Sequence, residues 1–540
     1  MKISELFMNI AKENSIDHFF GIPGSGVPLD LMDSGREIDL HFVNVAHEST
    51  AAIAAGAYGL LKESSGLSLA VKGVGAANLT GGIANAYFER MPVVGICETT
   101  PNYSYENEMV QHADHYAMMK SVTKKMLTIS NDNPGETIRD AFSTSMENRQ
   151  GPVLIDFPSD MGLVDVKDKL NSPSKPKKSK ETNKSEIKKI SEIINKSKKP
   201  VVIIGNDVKA DNAIEESIKF AEKCGAGVIS TMKSRGVFPE NHERWVAVTT
   251  GFPSQNTKAG DLMLSSDLII LIGVDQMMTH TPWPENTLQT IEIISDSHFK
   301  TMSSDPIFTE IGNIKSTLNK LTKLIMNPGW KIQELLNISI NLESRFKRPS
   351  NAIFATQDIF EISKELLPKE GLVYSETGAF ITLLENTWKF DQPSKFFGTS
   401  GGRTMGLMIP SFIGGCLATD NSIPSIGIGA DGSSLMRMGE FETINRCNLK
   451  WPIVIINDAA LGTMKYRQGF RKYPDYGLDL TMVDFASAAK SCGLKGITTN
   501  TPESFKNALI ESFKEDTTTI IDARIDPKIY QDSFGLTLGD

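Results

Sequence analysis

The chain has 540 residues, 40% hydrophobic, 22% charged and 8% aromatic, the balance of an ordinary globular protein and far from that of a disordered or fibrous one. A single hydrophobic core stops growing near about 250–300 residues, so the length excludes a one-core protein and leads us to expect three domains. The formal net charge of −9 and a pI near 5.6 exclude the basic stripe of a general nucleic-acid binder.

The N-terminal segment MKISELFMNIAKENSIDHFFGIPG has no apolar run of the length a signal peptide needs, and nowhere do roughly 18 apolar residues follow one another, so neither secretion nor membrane insertion is expected. The five cysteines (Cys97, Cys224, Cys416, Cys447, Cys492) are far apart, with no Cys-x-x-Cys pair. Neither a disulfide framework nor a zinc site is indicated, and a reducing cytoplasm is the expected compartment. From there the chain alternates short Val/Ile-rich runs with longer helical patterns, the reading expected of βαβ units and parallel sheets. The runs are LHFVNVA, LSLAVKG and MPVVGIC early, PVVIIGN and DLIILIGV centrally, and IPSIGIGA and WPIVIIN late. Residues 167–184, rich in Lys, Ser and Pro, read as an exposed linker, and a weaker break lies near Asn327 to Asn351. The expectation is therefore an α/β protein of three doubly wound parallel-sheet domains, 1–166, 185–330 and 352–530, with 331–351 as the second linker.

In the first segment the run LHFVNVAH leads into Glu48, followed by the small-residue helix STAAIAAGAYGLLK. Taken alone, Glu48 is an acidic first-turn residue, favourable at a helix start by about 0.3–1 kcal/mol. In the third segment Gly429-Ala430-Asp431-Gly432-Ser433 follows one strand, the stretch SLMRMGEFETINRC reads as helical, and the next strand ends in Asn457-Asp458. Gly432 and Ser433 present backbone N–H groups to an anion at a helix start, and the next strand brings Asp458 to the same sheet edge. Mg²⁺ prefers oxygen ligands, commonly one or two carboxylates with phosphate oxygens. Separately, Asp-Gly-Ser and Asn-Asp are ordinary turns.

Together, at this spacing, they resemble the thiamine diphosphate motif Gly-Asp-Gly-Ser followed by Asn-Asn. The local string here is GADGS, and Asp458 stands where the family usually has asparagine, as in some catabolic acetolactate synthases. GIPGSG (Gly21 to Gly26), GVGAANLTGGIANAYFERMPVV (from Gly73), GPVLIDFPSD (Gly151 to Asp160) and SGGRTMGLMIPSFIGG (from Ser400) are similar to acetolactate synthase and benzoylformate decarboxylase relatives. The central VVIIGN and TMKSRGVFPENH resemble that family's middle domain. The resemblance implies pyrimidine-binding, middle and diphosphate-binding domains. Asp431, Asp458 and the carbonyl of Ala460 would hold Mg²⁺, and Gly24, Asn78, Met405, Asp431, Gly432 and Ser433 would contact thiamine diphosphate. Glu48 would bond the pyrimidine so that thiamine loses its C2 proton. Met405 would lie under the cofactor, although an ordinary core methionine would be buried in the same way. It implies a homodimer or homotetramer with active sites at the subunit interface. Some relatives hold FAD in the middle domain, and no short motif here decides whether this chain does.

Two catalytic candidates point to different reactions. Gln111 falls where acetolactate synthases keep a glutamine near the substrate, and Ser25 where benzoylformate decarboxylase keeps a serine; either residue is also common in a purely structural turn. The chain lacks the adjacent His-His pair of simple pyruvate decarboxylases, and Val71 or Lys72 stands where benzoylformate decarboxylase relatives keep a histidine. His112 and His115 are the remaining substitutes, and His47 has no expected role beyond packing or a hydrogen bond. Few proton donors favour transfer to an acceptor over aldehyde release. The expectation is an acetolactate-synthase-like carboligase acting on a small 2-oxo acid such as pyruvate. The alternatives are an aldehyde-releasing 2-oxo-acid decarboxylase, an acyloin or 2-hydroxyacyl lyase, and a non-catalytic thiamine diphosphate binder. A nicotinamide dehydrogenase fits poorly, because GIPGSG has the wrong spacing for its Gly-rich turn.

Overall fold

Three six-stranded sheets follow one another along the chain, and every pairing within them is parallel. The computed structural model describes residues 1–104, 107, 109–167, 184–249, 258–278, 288–299, 306–343 and 346–526. The first sheet comprises β1 (His18–Gly21), β2 (His41–Asn44), β3 (Gly66–Ala70), β4 (Val93–Thr99), β5 (Lys125–Thr128) and β6 (Val153–Pro158), in the order β2-β1-β3-β4-β6-β5. The second comprises β7 (Pro200–Ile204), β8 (Gly227–Thr231), β9 (Trp245–Thr249), β10 (Leu268–Ile272), β11 (Thr290–Ile294) and β12 (Phe308–Ile311), in the order β12-β11-β10-β7-β8-β9. The third comprises β13 (Leu372–Ser375), β14 (Phe396–Phe397), β15 (Ser425–Ala430), β16 (Ile453–Asn457), β17 (Lys495–Thr499) and β18 (Thr519–Arg524), ordered β14-β13-β15-β16-β18-β17. All seven apolar runs noted in the sequence are strands here. β7, β10 and β16 are buried along their whole length, which is why they carry nearly continuous Val/Ile/Leu runs rather than an alternating pattern.

The outer two sheets share one winding. Each reverses direction between its first and third strands, β1/β3 and β13/β15, and open α/β sheets bind ligands in the crevice at such a reversal. The turns after β1, β3, β13 and β15 hold Gly24–Ser25, Gly73, Glu376 and Asp431 respectively. The middle sheet is wound differently and reverses between β7 and β10.

The helices Glu48–Lys62 and Met408–Ala418 pack together, so the first and third sheets share one core that runs from Phe20 through Ala54, Phe412 and Ile413 to Ile453. Gly414 makes this approach possible: a Cβ there would lie 2.0 Å from the Ala54 carbonyl oxygen. The middle sheet has its own cores. Buried polar ties link it to its neighbours. Arg149, beyond the first sheet's last helix, donates to Asp207 (3.2 Å), to Asp275 (3.4 Å) and to the Val274 carbonyl (3.0 Å), and Arg90 donates to Asp275 at 2.5 Å. On the other side Phe390 N–H donates to the Glu240 carboxylate at 2.9 Å.

Two expectations need adjusting. Residues 331–351, expected as a linker, contain the helix Ile332–Glu343, whose Leu335 is buried in a middle-sheet core. The stretch expected as one helix after Asp431 is two, Asp431–Leu435 and Glu440–Arg446. Gly439 stands between them, where a Cβ would come within 3.2 Å of Ala46, and glycine is a poor helix former. The first expected linker, 167–184, lies almost wholly outside the described residues. Among the described residues no helix is long and apolar enough to cross a membrane.

Candidate active site

The two carboxylates after β15 and β16 form one loop system. Adjacent parallel strands bring their C-terminal turns together, and Asp431 ties the two turns: its Oδ2 accepts from the backbone N–H of Asp458 (3.2 Å) and Ala459 (2.7 Å), and its Oδ1 from Gly432 N–H (2.6 Å). Asp458 Oδ1 accepts from Ala460 N–H at 3.1 Å. Ala459 takes a left-handed conformation, φ 56°, unusual for a residue with a Cβ, and this turns the chain so that Asp458 and Ala460 both face Asp431. Asp431 and Asp458 are 3% and 8% exposed. Burial raises the pKa of both, and for Asp458 the neighbouring Asp431 charge raises it further. Two buried carboxylates in contact call for a cation. Among the described residues no cluster of three or more His, Cys, Asp or Glu is placed to hold a metal alone, so a cation here would need oxygens from a second ligand.

That second ligand has a shaped seat. A Cβ on Gly432 would lie 2.9 Å from Leu461, 3.5 Å from Leu480 and 3.7 Å from Met405 Cε, so three apolar side chains converge on the turn. The hydroxyls of Ser433 and Ser434 are buried with no hydrogen-bond partner among protein groups. Met405 is half-buried and precedes Gly406, whose φ is 71°. Arg437 donates to the Gly406 carbonyl (3.1 Å) and to the hydroxyls of Ser49 (2.8 Å) and Thr50 (3.3 Å), joining this turn to the Glu48 helix.

Glu48 is buried at the first position of its helix and accepts a 3.0 Å hydrogen bond from Asn78 Nδ2. The capping role goes to His47, whose Nδ1 accepts from Ser49 N–H at 3.1 Å. This leaves the Glu48 carboxylate free of the bland role an acidic first-turn residue would fill. Within one chain no hydrogen bond or ion pair among the described residues joins Glu48 to the Asp431–Asp458 pair.

The other candidates line the β1/β3 crevice. Ser25 is exposed in the turn after β1, and Gly24 sits against Val71, where a Cβ would come within 2.1 Å. Gln111 is exposed with φ 55°, and its backbone closes on Gly73: a Cβ on Gly73 would lie 2.5 Å from the Gln111 carbonyl. His115 is 2% exposed, with Nδ1 2.8 Å from Asp156 Oδ1 and Nε2 accepting from Gly73 N–H at 3.4 Å.

Two acidic residues escaped the sequence reading. Glu98, near the C-terminal end of β4, accepts from Val27 N–H at 3.2 Å and caps the helix that follows the Gly24–Gly26 turn. Glu376, after β13, is 1% exposed and accepts from the N–H groups of Met408 (3.3 Å) and Ala430 (3.1 Å), pinning the turn beyond Met405 to the turn before Asp431. Burial pushes its pKa up to about 7. An acidic residue at or just past the C-terminal end of a strand in a doubly wound sheet was the only available signal for either.

Family models match almost in register with the three sheets: the thiamine pyrophosphate enzyme N-terminal TPP binding domain over residues 1–118, the central domain over 187–321 and the C-terminal TPP binding domain over 376–523. The chain belongs to the thiamine pyrophosphate enzyme family. It is a thiamine diphosphate-dependent enzyme of the carboligase and decarboxylase kind. Among its relatives is a probable acetolactate synthase large subunit from Methanocaldococcus jannaschii, 27% identical over 98% of this chain and 92% of that one. Another is the acetolactate synthase large subunit of Buchnera aphidicola, 26% identical over 97% and 94%. The fold matches that of a benzoylformate decarboxylase from Polynucleobacter necessarius, with a TM-score of 0.84 at 20% identity over 98% of this chain and 99% of that one. The residues around Asp431 suit the family's cofactor: the unpartnered Ser433 and Ser434 hydroxyls can donate to a diphosphate, and the Met405–Leu461–Leu480 surface can support an aromatic ring.

Proposed function

We propose that this thiamine pyrophosphate enzyme decarboxylates a small 2-oxo acid, pyruvate foremost, and transfers the remaining fragment to a second carbonyl compound. The observation that carries the reading is the Asp431–Asp458 loop: two buried carboxylates tied by backbone hydrogen bonds beside unpartnered serine hydroxyls. Asp431, Asp458 and the Ala460 carbonyl would hold Mg²⁺ together with diphosphate oxygens. Thiamine diphosphate, when bound there, would supply the carbon-nucleophile and electron-sink chemistry that decarboxylation of a 2-oxo acid needs. Glu48, held by Asn78 and relieved of capping by His47, would exchange a proton with the cofactor's pyrimidine.

Transfer rather than aldehyde release is favoured by the state of His115, whose two ring nitrogens are both engaged in a buried site, so it is a poor source of a proton. Assembly as a homodimer or a larger homo-oligomer is favoured by Glu48 and Asp431 having no hydrogen bond or ion pair between them among the described residues, and by exposed apolar side chains in the segments of Gln111 and Ser434. Tyr103, Met109 and Val110 are 82%, 79% and 71% exposed beside Gln111, and Met436 is 58% exposed beyond Ser434.

The test is proton NMR of purified protein with thiamine diphosphate, Mg²⁺ and pyruvate, with Glu48→Gln in parallel. Acetolactate or acetoin is expected, with the variant slower by about 10²–10⁴-fold. Acetaldehyde alone would mean simple decarboxylation, and untouched pyruvate would rule that substrate out.

A further inference from the structure

The helix Val74–Phe88, which carries Asn78 to Glu48, begins at a turn with little of its own to hold it. Its N-cap residue is Gly73, with φ 66° and ψ −106° and no side chain to cap the first amides. Glycine loses more backbone freedom on folding than any other residue, so a turn built on it needs an outside anchor. His115 supplies one. Gly73 N–H donates to His115 Nε2 at 3.4 Å, and His115 Nδ1 lies 2.8 Å from Asp156 Oδ1, in β6.

The two partners demand the same form of the imidazole. The Asp156 carboxylate accepts, so Nδ1 carries the hydrogen; the Gly73 amide donates, so Nε2 keeps its lone pair. His115 is 2% exposed, and a neutral ring meets both demands without bringing a further charge into the interior. Helix capping does not account for the bond. A capping side chain takes the second or third amide of the helix, here Gly75 or Ala76, whereas His115 takes that of Gly73, in the turn itself.

Further along, the same helix is pressed against the helix that starts at Glu48: a Cβ on Gly82 would lie 2.5 Å from the Ser49 carbonyl. Asn78 stands between these two fixed points, about 7.5 Å of helix from Gly73 and about 6 Å from Gly82. Its Nδ2 donates to Glu48 Oε2 at 3.0 Å, and the backbone at Gly75 approaches the other oxygen, where a Cβ would be 3.5 Å from Glu48 Oε1. Both approaches to the carboxylate therefore lie in the stretch that His115 anchors.

We propose that His115, oriented by Asp156, is a positioning residue: by fixing where the helix Val74–Phe88 begins, it holds Asn78 against Glu48 and so aims that carboxylate at the cofactor's pyrimidine. The histidine itself transfers no proton, in keeping with its two engaged nitrogens. The assignment rests on the proposed proton exchange by Glu48, which it deepens.

Two measurements test it. The first needs no cofactor: ¹⁵N NMR of histidine-labelled protein near neutral pH, with the His115 signals identified by their loss in His115→Gln. A neutral ring protonated at Nδ1 is expected, and a ring protonated at Nε2, alone or as the cation, overturns the assignment. The second follows replacement of the C2 hydrogen of bound thiamine diphosphate by deuterium in D₂O, with no 2-oxo acid present, in wild type, Glu48→Gln, His115→Phe and His115→Gln. Thermal unfolding checks that each variant is folded. His115→Phe keeps a ring and removes the acceptor, so exchange should slow by about 10–100-fold, the loss a small misplacement of a catalytic group causes, while cofactor affinity stays near that of wild type. His115→Gln offers a carbonyl oxygen to the Gly73 amide and should return to within about threefold of wild type. Unchanged exchange in His115→Phe, or equal loss in both variants, overturns the assignment and leaves Glu48 in its role. Should His115→Phe not fold, the His115→Gln rate and the ring's protonation decide by the same criteria. Fast exchange in Glu48→Gln overturns the Glu48 reading and the assignment with it.

Discussion

Asp458 shows what a single atom pair can decide. Replacing it by asparagine keeps an oxygen for a cation and removes one of two mutually repelling charges, so thiamine diphosphate and Mg²⁺ should bind Asp458→Asn about as well as wild type. Asp458→Ala removes the oxygen as well and should weaken binding by about 10–100-fold. Fluorescence titration with the cofactor separates the two, and equal loss in both variants would show that the second carboxylate is needed as a charge. Glu376 ties stability to pH. Its ordinary value of 4.5 rises to about 7 on folding, so between these values the folded protein must take up a proton that the unfolded chain has released. The contribution is fully favourable below pH 4.5, declines as pH rises, and by pH 7–8 has cost up to about 3 kcal/mol. Urea unfolding of wild type and Glu376→Gln at pH 5.5 and 8 tests this: the variant should lose the part of the pH slope that Glu376 supplies, and identical slopes would sink the idea. Glu48, Asp431 and Asp458 were readable in the sequence because each ends a strand run at a recognisable spacing. Glu376 and Glu98 were not, because Ser375-Glu376-Thr377-Gly378 becomes significant only once β13 lies beside β15.

For the secondary-structure elements, legibility followed burial. Strands hidden on both faces must be apolar throughout, and all seven runs noted in the sequence proved to be strands. The helix Ile332–Glu343 was missed because its sequence offers only a short apolar face, and Leu335 packs against Gly227, far earlier in the chain. Helix-to-helix contact was equally invisible, although it turns on one glycine. Gly414→Ala would place a methyl against the Ala54 carbonyl, a backbone atom that cannot move aside cheaply. Overpacking of this kind should destabilise the protein by about 1–3 kcal/mol, read as a lower urea midpoint with unchanged m value. A variant as stable as wild type would mean that the two helices can slide apart.

Across the whole molecule, the number and class of the sheets followed from alternating element types, whereas their windings did not. Strand order depends on which crossovers pack on which face, and nothing local in β7 to β12 announces that the middle sheet reverses elsewhere than the outer two. The ties between sheets were hidden as well, because they join residues from 58 to 313 positions apart. Glu89, fully buried, accepts from Ser400 N–H (2.8 Å), Gly402 N–H (2.8 Å) and the Thr399 hydroxyl (3.2 Å). Glu89→Ala would leave these donors without a partner and should cost about 3 kcal/mol or more, lowering the melting temperature in calorimetry. A melting temperature equal to that of wild type would place the strength of the joint elsewhere, in the shared apolar core.

The return of the chain that brings Leu480 to the Gly432 turn has a consequence for time rather than affinity. The carbonyl of Ala459, between the two residues proposed to hold Mg²⁺, is held by Leu480, and the segment bearing Leu480 is itself fastened to the helix Gly462–Phe470 by Lys465. Any opening of the loop at 458–461 must therefore first peel away a paired stretch of chain. Escape of whatever rests there is governed by the rate of that local unfolding, so the amide hydrogens of Leu461 and Leu480 should exchange with solvent on the clock that sets how long the enzyme keeps its cofactor.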